Sequence, residues 1–345
     1  MADLSLIISG YTHDESPTGI YFAQLNTQHH QFTLHPSNID LKHPSYFDYA
    51  NQQLTVISEV LETQSPTICQ YRLDNWQVTP QTQSPLSGSA PCYVEASLST
   101  NMIATAQYGS GHIDIFSCTD DGIIDQHRQT INSQAFAASD EQESHAHQAV
   151  LLPISQTLVT VDLGCDCLRV FPFDHHHHTV AITDSYSVAL PIESGPRHVI
   201  FDKNEQFGVV LCEISEQLIL LKKIAGKWQI HGHQAALPQT ENGQAAGAIK
   251  FSPDERFIYL TGRRQNLIAC FAFNGLTGEC EYQYAIDCGG RFARDFAISH
   301  CGNWLVVANQ LSHNLALFRR DNETGELQDT KIRHKVPSPT CIKFI

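Results

Sequence analysis

The chain has 345 residues, with 21 Lys and Arg against 36 Asp and Glu, a formal charge of −15 with neutral His. That balance argues against nonspecific nucleic-acid binding, which needs a basic footprint, but leaves room for a small anion held by a few local Arg. No run of 18 apolar residues is present, so neither a membrane span nor a membrane partner is expected.

The first ten residues, Met1 to Gly10, contain no basic n-region and no long apolar core, so a signal peptide is not expected and the protein is placed in the cytoplasm. Eleven Cys in such a chain read as reduced thiols, most of them buried as small hydrophobes. Long amphipathic helices are missing. Short runs rich in Val, Ile, Leu, Phe and Tyr recur instead, broken by Gly, Asn, Asp, Ser and Pro, which is the pattern of an all-β chain.

In chain order, strands are predicted at 4–10 and 19–25, then at 46–50 and 54–59. Three more follow at 93–97, 102–108 and 112–116, and three at 147–153, 158–162 and 167–173. From there the plan sharpens. Residues 198–213, 248–263 and 295–310 each read as strand, polar turn, strand. The last two are followed by third strands at 267–273 and 315–318 and by closing turns at 274–278 and 322–327. A further strand start appears at 338–345, where the chain stops.

Repeat starts near 46, 93, 147, 198, 248 and 295 give a period of about 50 residues. Three or four short strands per period indicate a seven-bladed β-propeller, with the last blade closed by strands from both termini. Such closure removes the open sheet edges that would template aggregation. A single propeller domain over 1–345 is expected. The Ser252-Pro253-Asp254-Glu255 and Asn322-Glu323-Thr324-Gly325-Glu326 stretches are read as hairpin turns that build blades.

In a propeller the innermost strands line a channel, and polar groups at equivalent places near those strands are the informative ones. Five places qualify: His145 and His147 at the third clear repeat; Arg197 and His198, after Pro196, one repeat later; Glu213 at the end of an apolar strand; Arg263 at nearly the same place in the next repeat; and Arg294, which repeats Arg197. An Arg cluster in an acidic protein suits a carboxylate or phosphate ligand held by bidentate hydrogen bonds. His175-His176-His177-His178 is read as a surface hairpin, because consecutive side chains there point in different directions. Cys165-Asp166-Cys167 lacks the second Cys pair of a zinc site. No metal and no cofactor is expected, and no Gly-rich phosphate loop or Gly-x-Ser-x-Gly elbow occurs.

Pro196-Arg197-His198, His145-Ala146-His147, Arg294-Asp295-Phe296-Ala297-Ile298 and Leu305-Val306-Val307-Ala308-Asn309-Gln310 together resemble the seven-bladed lactonase family. That family includes propeller-type 6-phosphogluconolactonases and fungal carboxy-cis,cis-muconate cyclising enzymes. The resemblance implies a metal-independent lactonase acting on a sugar-acid lactone, with 6-phosphogluconolactone hydrolysed to 6-phosphogluconate as the leading expectation.

It also implies a catalytic set of His147, Arg197, Glu213 and Arg263. His145, His198 and Arg294 are expected to bind the substrate, a small anionic lactone or sugar acid. Departures from the family pattern, such as Ala293 and His300-Cys301-Gly302, fall in or beside turns. Cyclisation of an unsaturated diacid at the same residues and a noncatalytic binding scaffold are the rival expectations.

Overall fold

The structure is a computed structural model that describes residues 3–14, 16–139 and 141–345. Its strands form seven antiparallel sheets, the blades of a seven-bladed β-propeller. In chain order, blade 1 spans 46–85, blade 2 91–132, blade 3 146–189, blade 4 196–235, blade 5 246–287 and blade 6 293–335. Blade 7 joins Pro339–Phe344 to Leu4–Gly10, Ile20–Asn26 and Gln31–Pro36. The predicted closure by both chain ends is therefore present. Blade 3 carries five strands and the others four. The described helical segments are two single 3-10 turns, Glu62–Gln64 and Ser133–Phe136.

The chain divides into two compact units, Met1–Asp40 with His198–Ile345 and Leu41–Arg197. The first holds blades 5, 6 and 7 and blade 4 from His198 onward; the second holds blades 1, 2 and 3. Within the three-blade unit the first strand of blade 2 lies against those of blades 1 and 3. Within the four-blade unit the first strand of blade 6 lies against those of blades 5 and 7. The first strand of each of these blades is thus its inner strand.

The burial pattern follows from this layering. The second strand is buried throughout in Phe207–Cys212 and Phe257–Gly262, because both of its faces meet protein. The fourth strand of blade 4, Lys227–Ala235, is mostly exposed around a buried Trp228, and its Gln234 donates to the Cys280 carbonyl of blade 5. Within each unit the core is the set of apolar layers between successive blades. Val209, Leu211, Ile258 and Phe271 fill one layer in the four-blade unit; Ile103, Phe116, Ile57 and Ile68 fill one in the three-blade unit.

Two turn devices repeat. In blades 4, 5 and 6 a side-chain acceptor closes the first hairpin: Asp202 accepts from the Phe207 amide, Ser252 from Phe257 and Ser299 from Trp304. The residue that bends each of these turns adopts positive φ: Glu205 at 52°, Glu255 at 55° and Gly302 at 76°.

The second device ties one blade to the next. Asp166, Glu216, Asn266 and His313 adopt φ of 46°, 49°, 58° and 54° in the turns between second and third strands. Their side chains accept the amide hydrogens of Gly195, Ala245, Phe292 and Ser338 respectively. Each of those amides immediately precedes the next first strand.

Nine of the eleven cysteine thiols are buried; Cys92 is half-buried and Cys301 exposed. Burial pushes the thiols of Cys167, Cys280 and Cys288 up to about 12. His175 to His178 form the turn between two strands of blade 3, and His177 Nδ1 meets Asp174 Oδ2 at 2.6 Å.

Candidate active site

The first strands of blades 2, 3, 5, 6 and 7 do not run in regular register, whereas that of blade 1 does. In blade 3 Ala146 pairs with Asp162 and Gln148 with Val161, which leaves His147 as an extra residue. In blade 6 Ala293 pairs with Asn309 and Asp295 with Ala308, which leaves Arg294 extra. Cys92 and Thr340 are the corresponding residues of blades 2 and 7. A bulge of this kind bends the strand and re-aims one side chain out of the pleat. By its place after Pro196, Arg197 is the counterpart in blade 4. Blade 5 has Gly247 there.

A second set of equivalent positions follows directly on the second strand of each blade. It comprises Tyr108 in blade 2, Glu213 in blade 4, Arg263 in blade 5, Gln310 in blade 6 and Tyr11 in blade 7.

In the four-blade unit these positions meet. Arg263 Nη2 donates to Glu213 Oε1 at 2.6 Å, with the Arg263 side chain 9% exposed and that of Glu213 20% exposed. The Arg263 amide and Nε both donate to the Ala245 carbonyl, at 3.0 and 3.2 Å. The guanidinium also lies over the Phe292 ring at 5.1 Å. Gly247 makes room for this arrangement. A Cβ there would come within 2.4 Å of Thr261 Oγ1 and 3.2 Å of Arg263 Cγ. Arg294, half-buried, donates from Nη1 to Gln310 Oε1 at 3.2 Å and from Nη2 to the Tyr11 hydroxyl at 2.9 Å. His198 is buried on the first strand of blade 4.

In the three-blade unit Tyr108 organises two imidazoles. His145 stacks on its ring at 4.5 Å and 10°, and His147 meets it edge-on at 5.9 Å and 80°. His145 Nδ1 lies 2.9 Å from the Tyr108 carbonyl. A carbonyl can only accept, so Nδ1 carries the hydrogen and, in the neutral ring, Nε2 is the basic end. The backbone beneath is fixed by Asp162, which accepts from the His145 amide at 3.0 Å and from the Ser144 hydroxyl at 2.6 Å. Asp162 is itself paired with buried Arg169. His147 and Arg197 are both buried. The loop leading to Arg197 is held by Asp166, which takes the amides of Glu193 and Gly195.

The structure thus brings Glu213 and Arg263 together in one unit and His145 and His147 together in the other. Sequence reading passed over Tyr11, Tyr108, Phe292 and Gln310, which hold these side chains. Two of them were within reach, since the place within the repeat that Glu213 and Arg263 share also falls on Gln310 and Tyr108. Among the described residues no three His, Cys, Asp or Glu are grouped to hold a metal ion. A cleft of about 960 Å³ opens elsewhere, lined by His30, Trp304, Arg319 and Lys331 among others, and none of the residues above contributes to it.

Residues 5–344 match the family described as lactonase, 7-bladed beta-propeller, and the chain belongs to that family. It is 28% identical over 335 residues to the 6-phosphogluconolactonase of Bacillus subtilis strain 168, covering 95% of this chain and 94% of that one. It is 25% identical over 333 residues to a 6-phosphogluconolactonase of Formosa agariphila, covering 94% of each chain. The solved structure of the periplasmic gluconolactonase of Pseudomonas aeruginosa superposes with a TM-score of 0.90 at 24% identity, over 100% of this chain and 99% of that one. At family level the chain is a lactonase, a hydrolase of small lactones.

Proposed function

We propose that this protein hydrolyses 6-phosphogluconolactone to 6-phosphogluconate, using side chains alone. His147 acts as the base, Arg197 and Arg263 as anion stabilisers, and Glu213 holds Arg263 in place. One observation carries the reading: Arg263 is held at 2.6 Å by Glu213, at the same blade position where blades 6 and 7 present Gln310 and Tyr11. An immobilised guanidinium can face developing negative charge without reorganising, and that is the condition for strong transition-state stabilisation. The relatives named 6-phosphogluconolactonase, similar over nearly their whole length, support the choice of substrate.

His147 takes a proton from water, and the water oxygen bonds to the lactone carbonyl carbon. Negative charge then develops on the former carbonyl oxygen, where Arg197 and Arg263 stabilise it. The bond from that carbon to the ring oxygen breaks, the ring oxygen takes the proton from His147, and the open-chain acid leaves, giving its carboxyl proton to solvent as it becomes the carboxylate.

A second reading of the base rests on His145. Its Nδ1 hydrogen is fixed on the Tyr108 carbonyl, which leaves Nε2 as the basic end. Single replacement of each His decides between them.

The test is acid release from freshly made 6-phosphogluconolactone, with the spontaneous rate subtracted and a muconate supplied in parallel. Turnover of the lactone above background supports the reading. Turnover of the muconate alone, or of neither, overturns it.

A further inference from the structure

We propose that Tyr11 and Gln310 are positioning residues that hold Arg294 for the phosphate of the substrate, so that the N-terminal strand of the chain sets selectivity for an anionic over an uncharged lactone. This rests on the lactonase reading for the identity of the ligand. The geometry comes from three strands. Arg294 is the bulge residue at the start of the first strand of blade 6. Gln310 directly follows the second strand of that blade, and Tyr11 directly follows Leu4–Gly10 of blade 7.

Two donors of the guanidinium are used on these partners, Nη1 on Gln310 Oε1 at 3.2 Å and Nη2 on the Tyr11 hydroxyl at 2.9 Å. The Tyr11 ring also lies 5.2 Å from Cζ. A guanidinium is planar, with five N–H donors in fixed directions. Bonds from its two terminal nitrogens to separate chain segments therefore fix both the place of the plane and its rotation. A long, rotamer-rich side chain is ordered before the ligand arrives, and that lowers the cost of binding.

The contrast with Arg263 is chemical. Arg263 is bonded to a carboxylate, whereas the Gln310 amide and the Tyr11 phenol that hold Arg294 are themselves uncharged. Tyr11 is itself anchored, because its amide donates to the Ser338 carbonyl at 3.2 Å. Ser338, just before the strand Pro339–Phe344, thereby anchors the tyrosine that holds Arg294.

The experiment compares the full chain with Tyr11→Phe and Gln310→Leu. Binding of 6-phosphogluconate and of gluconate is measured by calorimetry, and KM and kcat are measured for 6-phosphogluconolactone and glucono-1,5-lactone. Tyr11→Phe keeps the ring and removes only the oxygen. It is expected to weaken 6-phosphogluconate binding by about 10-fold to 100-fold, the range for a hydrogen bond to a charged group. KM for the phosphorylated lactone rises in step, while kcat and both gluconate values stay within about twofold of the parent. Gln310→Leu acts in the same direction, which keeps the test open if one variant folds poorly.

Equal losses for phosphorylated and unphosphorylated ligands would overturn the proposal, because they would mark a structural role. So would unchanged 6-phosphogluconate binding, or a parent protein that does not bind it. Absence of lactone turnover alongside selective loss of 6-phosphogluconate binding would sink the lactonase reading and leave this inference standing.

Discussion

Arg263 and Glu213 lie on neighbouring blades of one unit and share a hydrogen bond of 2.6 Å between groups that are 9% and 20% exposed. Removing one partner leaves the other charge largely shielded from water and missing this bond. Glu213→Gln and Arg263→Met are each expected to lower stability by about 1–3 kcal/mol. The double variant is expected to lose less than the sum, with a coupling of about 0.5–3 kcal/mol. Urea denaturation of the three variants checks this, and strict additivity would show that the pair contributes nothing jointly.

Glu216 acts on the same arginine from one step further away. Its carboxylate accepts the amides of Gly243 and Ala245 at 3.0 and 3.1 Å, and the Ala245 carbonyl in turn receives the Arg263 amide and Nε. Glu216→Ala leaves two amides without this acceptor and frees the segment to shift. Lactone turnover is expected to fall along with the melting temperature. Restoration by Glu216→Asp of the melting temperature but not of turnover would show that the exact reach of this side chain sets Arg263. Full activity in Glu216→Ala would refute the link.

The fold was legible because its signal is local and repeated. A strand, a turn with a capping side chain and another strand recur at a fixed period, so Leu267–Phe273 and Leu4–Gly10 fall where the sequence places them. The Glu213–Arg263 pair was legible as two positions, since both end apolar strands one repeat apart. Tyr11 was not, because its bond to Arg294 joins residues 283 apart in the chain and no local pattern marks it. The bulges were also hidden. Each lies at the first residues of its strand, ahead of the apolar run that marks the strand in the sequence.

Gly325 lies in the closing turn of blade 6 at φ +73°, where a Cβ would come 2.4 Å from Phe257 Cδ1. Its carbonyl accepts the hydroxyls of Tyr259 and Tyr284, at 2.6 and 2.8 Å. Substitution would strain the backbone and push this carbonyl off both tyrosines. Gly325→Ala is expected to cost about 1–3 kcal/mol, seen as a lower urea midpoint with an unchanged slope. An unchanged midpoint would contradict this account of the turn.

Acid sensitivity has a defined contributor on the last strand of blade 6. Burial opposes ionisation of Asp329, but hydrogen bonds from Arg333, from the Lys331 side chain and from the Lys331 amide outweigh it and hold the carboxyl well below the usual range. Arg333 grips it with two bonds, at 2.9 and 2.7 Å. A folded-state value below the unfolded one, near 3.9, means that the unfolded chain binds the proton first as pH falls. The contribution is complete above the unfolded value and is lost as pH drops below it. Asp329→Asn should therefore flatten the acid side of the melting-temperature profile below about pH 4 and lower the plateau at neutral pH. A parallel profile displaced by a constant amount would assign the acid loss to other groups.

The most direct test of the central claim is the initial rate of 6-phosphogluconolactone hydrolysis by the parent protein and by His147→Ala, corrected for spontaneous opening of the ring. The account predicts turnover by the parent and a fall in kcat of roughly 10²–10⁴ in the variant, with the fold intact by circular dichroism. A variant that hydrolyses the lactone at the parental rate would contradict it.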